Sequence, residues 1–96
     1  SKLLEKAGVF SIVLECIETS LAKLITQNIK VPTIGIGASN YCDGQILVFD
    51  DLIGLNPTNF RFVKKYSNII KEISKAVSNY SKDVKKRKFP SKKNSY

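Results

Sequence analysis

The chain has 96 residues, 43% of them hydrophobic and 25% charged, and carries a net charge of +8. That length allows at most one small domain with a modest core, and no run reaches the roughly 18 apolar residues a membrane span needs. Residues 82–96 hold seven Lys/Arg against a single acid, Asp83, so six of the eight net charges belong to the tail. A solvated basic chain end accounts for this more simply than a nucleic-acid interface does.

The opening "SKLLEKAG" has neither an apolar h-region nor a small-residue cleavage site, so a cytosolic protein is the default. Two cysteines, Cys16 and Cys42, lack the C-x-x-C spacing, and no histidine is present to complete an ordinary zinc site. They are expected to be reduced, partly buried thiols.

In chain order, Leu3, Leu4 and Ala7 stand at helical spacing and Gly8 follows, which predicts the last turns of a helix and its C-cap. That helix reads as beginning upstream of Ser1. Residues 9–15 predict a strand, nearly continuous in apolar and β-branched residues, as for a strand covered on both faces. Thr19 or Ser20 can cap a helix to about Asn28. "VPTIGIG", 31–37, predicts a second buried strand, with Pro32 tolerated at its start. After the loop "GASNYCDG" comes a third short strand, "QILVF" at 45–49, ending in Asp50 and Asp51. A long helix is expected from about Phe60 to Val84, with Val63, Tyr66, Ile69, Ile70, Ile73, Val77, Tyr80 and Val84 forming one core-packing stripe. A basic tail, 85–96, closes the chain, and no internal repeat is evident.

Strands alternating with helices predict βα units and a parallel sheet. Three such strands cannot be covered by two and a half helices, so the chain reads as a piece of something larger. In parallel α/β sheets ligands bind at the carboxyl ends of the strands. Glu15, Gly35 to Ser39, and Asp50/Asp51 all fall at such ends. A glutamate there either opens the next loop into water or serves as a base, since a carboxylate at an apolar rim loses hydration and becomes a better proton acceptor. "GIGASN" lacks the third glycine of a dinucleotide fingerprint. Gly35 and Gly37 therefore read as positions where the backbone passes close to a neighbour or a ligand. The adjacent acids Asp50 and Asp51 suit a cation, but turn and cap roles suit them better.

"AGVFSIVLECI", "VPTIGIGASNYCDGQILVFDDLIGL", "FRFVKKYSNI" and "KFPSKKNSY" occur in this order. Together they resemble the C-terminal part of the ketopantoate hydroxymethyltransferase family over essentially all 96 residues. The resemblance implies about the last three βα units of a (β/α)8 TIM-type barrel of the phosphoenolpyruvate/pyruvate kind, residues 1–96 being part of one barrel domain. It implies transfer of a hydroxymethyl group from 5,10-methylenetetrahydrofolate to 3-methyl-2-oxobutanoate, giving 2-dehydropantoate for pantothenate and coenzyme A. A Mg²⁺ would stabilise the enolate, with its ligands upstream of Ser1 and none in this chain. Glu15 aligns with the family's proton acceptor, in "LEC". Small-molecule substrates and a ring-type homo-oligomer are implied, with neither nucleic acid nor membrane as partner. Ser39, Glu18 and Asp50 stand where family members commonly have Gly, Pro and His, and Lys93 and Asn94 replace Glu and His. The isolated chain is expected to be inactive. Rival readings are a small basic module binding RNA through its Lys-rich tail, and a non-catalytic remnant.

Overall fold

The computed structural model describes all of residues 1–96. Its elements are α1 (Lys2–Lys6), β1 (Ile12–Glu15), α2 (Thr19–Asn28), β2 (Thr33–Ile36), β3 (Gly44–Gln45), α3 (Phe49–Leu52) and α4 (Ile69–Lys85), with a 3₁₀ turn at Lys92–Asn94. The three strands form one parallel sheet in the order β1-β2-β3. Ile12 lies beside Thr33 and Glu15 beside Ile36 across the first pair.

Period-two burial along β1 sorts the sheet into two faces. Ile12 and Leu14 are buried against Ala22 of α2, with Ile25, Ile29 and Val31 packed around them. Val13 and Glu15 point the other way and are exposed, Val13 to 53%. The expectation of a strand covered on both faces is thus met on one face only, because a single layer, α2 and its loops, is present to cover it.

Between β2 and β3 the crossover is only residues 37–43, with no helix, although parallel neighbours usually need a dozen residues or more. The loop works because it packs itself against the sheet. Cys42 is buried in the core, and Lys23 of α2 lies over the Tyr41 ring at 4.4 Å. At the amino end of β2 the loop is locked to the strand by polar bonds. The Thr33 backbone N–H donates to Asp43 Oδ2 at 2.8 Å, Thr33 Oγ1 donates to the same oxygen, and the Asp43 N–H donates back to Thr33 Oγ1. Thr33 is fully buried, so its N–H has no access to water and depends on this carboxylate.

Several boundaries differ from the sequence expectation. β1 and β2 are shorter than 9–15 and 31–37; Pro32 stays outside the ladder, though its carbonyl still accepts from the Ile12 N–H. The third strand is Gly44–Gln45 and not 45–49. After Ile46 N–H bonds Gly35 O, the chain turns into α3, whose first turn carries Asp50 and Asp51 where the helix dipole favours acids. Asp51 is buried and accepts from Asn56 Nδ2 at 2.8 Å, which makes it a turn residue. α2 is capped at Glu18 and not at Thr19 or Ser20, with no side-chain capping bond.

The long helix starts at Ile69 and not at Phe60. Residues 60–68 are held off helical geometry by tertiary bonds: Phe60 and Phe62 stack, Tyr66 N–H reaches Leu52 O at 2.8 Å, and Lys65 Nζ reaches Asn56 O. Asn68 then supplies the N-cap, its side chain accepting from the Lys71 N–H. The apolar stripe does not pack into a core here. No residue of α4 is buried, and Val77 is 61% exposed. The helix projects from the sheet, giving extents of 67 × 27 × 15 Å.

Candidate functional site

The carboxyl ends of the strands bring together Glu15, Cys16, the loop after Ile36 and Gln45. Glu15 is the last residue of β1, and its side chain lies on the sheet face opposite α2 together with Val13 and Ile36. The strand therefore delivers an exposed carboxylate to the rim of the uncovered face. The next residue, Cys16, has φ of 51°, a left-handed conformation uncommon outside glycine, and its N–H donates to Ile36 O at 2.9 Å. This bond extends the β1–β2 ladder one step past the strand while the left-handed turn redirects the chain towards α2. Backbone strain of this kind survives only where the surroundings hold it, and here it terminates the strand directly after the acid.

Gly35 and Gly37 both meet neighbours closely. A Cβ on Gly35 would stand 2.9 Å from Gln45 Oε1 and 3.1 Å from Cys42 Sγ. Gly37, at φ of 61°, would place one 2.8 Å from Phe62 Cγ. The first absence makes room for the buried loop, and the second lets Phe62 seat itself at the end of β2.

Around this rim lies a cleft of about 700 Å³ whose walls include Cys16, Thr19, Gly37, Asn40, Arg61 and Phe62. Glu15 is not among its lining residues, since its side chain takes the other sheet face. Arg61 and Phe62 were not singled out from the sequence as site residues. Their signal there is two aromatics flanking an arginine within the family-like run "FRFVKKYSNI", and it takes the tertiary fold to carry them to the rim.

Cys16 is a free, exposed thiol and Cys42 a free, buried one, so only the second matches the expected burial. No three of the Cys, Asp and Glu side chains converge as a cation site. Asp43 is engaged beneath β2 and Asp51 within the α3 turn. No helix is long and apolar enough to cross a membrane.

A small parallel sheet with an acid and a cleft at its carboxyl ends is the layout of an α/β enzyme, consistent with part of a barrel. The model of the ketopantoate hydroxymethyltransferase family matches residues 1–92, and the chain belongs to that family. It is 69% identical over 96 residues to the 3-methyl-2-oxobutanoate hydroxymethyltransferase of Pelagibacter ubique (strain HTCC1062), covering 100% of this chain and 37% of that protein. Proteins of the same name in Pseudothermotoga lettingae and in Clostridium botulinum (strain Langeland) are 52% and 50% identical, with 98% and 100% of this chain and 36% and 35% of the relatives covered. The chain thus spans little more than a third of the length of the curated relatives it matches.

Two stability predictions follow from this geometry, both for the segment within a full-length protein. Asp43→Ala removes the acceptor of the buried Thr33 N–H and should cost about 1–3 kcal/mol, whereas Asp43→Asn, which keeps an acceptor oxygen, should recover most of it. Urea midpoints measure this, and equal losses for the two variants would contradict the assigned role. At Cys16, valine should cost about 1–3 kcal/mol at the positive φ and glycine far less. Equal midpoints for Cys16→Val and Cys16→Gly would show that the left-handed turn is not under constraint.

Proposed function

We propose that this chain is the C-terminal portion, about the last three βα units, of a (β/α)8 barrel that transfers a hydroxymethyl group from 5,10-methylenetetrahydrofolate to 3-methyl-2-oxobutanoate, forming 2-dehydropantoate. Residues 1–96 belong to one barrel domain in this reading, with 85–96 its basic tail. The observation that carries it is the placement of Glu15: it ends a parallel strand, on the face that α2 leaves uncovered. The free edges of β1 and β3 and the exposed Val13 support the need for further strands and a second layer.

Glu15 acts as the proton acceptor. Its carboxylate removes a proton from C3 of the keto acid, and the resulting enolate carbon bonds to the methylene carbon. That carbon's two bonds to donor nitrogens break, the nitrogens leave protonated as tetrahydrofolate, and one water supplies the new hydroxyl oxygen. A carbon acid beside a ketone is too weak for a carboxylate unless the developing oxyanion is stabilised. A Mg²⁺ held on ligands outside these 96 residues would supply that stabilisation. Gly35 lets Gln45 and Cys42, and Gly37 lets Phe62, close onto the rim backbone. The enzyme works in the cytoplasm on small molecules and assembles from copies of itself. The RNA-binding alternative gains no support from the family match.

The test is exchange of the C3 hydrogen of 3-methyl-2-oxobutanoate for deuterium by the full-length enzyme, with and without Glu15→Gln. Exchange that persists in the variant would remove Glu15 from the role.

A further inference from the structure

We infer that the rim cleft receives the anionic tail of the one-carbon donor, with Arg61 as the group that binds its carboxylate. The inference rests on the functional reading above and deepens it.

At about 700 Å³ the cleft falls within the range of small-molecule sites, and it lies at the strands' carboxyl ends. Its wall begins at Cys16, the residue that follows Glu15, while the Glu15 side chain itself lies across the β1 rim on the opposite sheet face. The acid and the cleft therefore lie on opposite sides of β1, one residue apart. A reaction joining a small keto acid to a much larger donor needs this division: the reacting carbon must reach Glu15, and the rest of the donor must lie elsewhere.

The wall chemistry states what kind of tail fits. Phe62, seated on Gly37, and Ile17 offer apolar surface, and Asn40 and Ser39 offer polar groups beside it. Arg61 is the one cationic residue on the wall. The nearby lysines are directed elsewhere: Lys65 Nζ donates to Asn56 O at 3.0 Å, and Lys64 Nζ sits 5.0 Å from the Tyr66 ring centroid. Glu18, the one acid on the wall, accepts from Ser20 Oγ at 2.6 Å. A guanidinium is suited to a planar carboxylate because it can present two parallel N–H donors, and the glutamyl carboxylates of a folate provide that partner.

The experiment measures KM in the full-length enzyme for 5,10-methylenetetrahydrofolate and for the same donor with its glutamyl carboxylates amidated. Arg61→Gln should raise KM for the native donor about 10- to 100-fold, the worth of a charge-assisted hydrogen bond, and leave KM for the amidated donor little changed. Arg61→Lys, keeping the charge and losing the paired donors, should fall between. The unsubstituted enzyme should already bind the amidated donor more weakly by a similar factor, a measurement that needs no variant to fold. Equal KM values for the two donors, or an Arg61→Gln effect of the same size on both, would overturn the inference. Deuterium exchange on the keto acid alone, run in parallel, separates the two levels. Its absence in the unsubstituted enzyme strikes the functional reading, whereas its presence with no donor discrimination strikes only the assignment of Arg61.

Discussion

Glu15→Gln in the full-length enzyme is expected to slow C3 deuterium exchange by about 10²–10⁴-fold, the usual contribution of a positioned general base. Glutamine has nearly the same shape and keeps a carbonyl acceptor, but its amide cannot take up a proton at neutral pH. The carboxylate is exposed and stands at the end of β1, so the substitution leaves the ladder from Ile12 to Ile36 in place. Stability should change by no more than about 0.5 kcal/mol, as for other surface positions. A loss of exchange at an unchanged urea midpoint is the signature of lost chemistry. A fall in both would point to a structural role, and unchanged exchange would require another base.

The isolated 96-residue chain is expected to show no cooperative unfolding transition and no exchange activity. Only eight of its residues are buried, and the largest fully buried side chain is Thr33. The radius of gyration is 22.3 Å, against about 13 Å for a compact domain of this size. α4, a 17-residue helix with no buried residue, is near the length at which isolated helices are marginal in water. The sheet exposes one face and two edges, and open edges are templates for association. Urea titration followed by circular dichroism checks the expectation: a gradual, featureless loss of signal is predicted. A sigmoidal transition with a slope of about 1 kcal/mol/M, typical of small folded domains, would mean that the chain folds alone.

The uncovered surfaces explain which parts of the sequence reading fell short. The stripe from Ile69 to Val84 has the period of a buried face, and α4 does form through it, but burial needs a partner that these residues do not supply. Near-continuous apolar runs in β1 and β2 imply cover on two sides, while α2 provides only one. Both patterns encode the environment of a larger protein.

Local signals were legible because their causes are local. The hydrophobic period of α2, the glycine after α1 at φ of 88°, the apolar strands and the acid closing β1 could all be read from residue order. The boundaries of β3 and α4 could not, since Val48 and Asn68 become caps only when tertiary hydrogen bonds tie Tyr66 to Leu52 and Ile69 to Ile53. By itself, the sequence determined the parallel α/β character and placed Glu15 at a strand's carboxyl end, because strand period and polarity change within a few residues. Tertiary structure alone decided that Asp43 locks the amino end of β2, that Phe62 seats on Gly37, and that Arg61 comes to the rim beside Cys16. Those contacts join residues ten to forty-five positions apart, and no local pattern carries a distance across a folded loop.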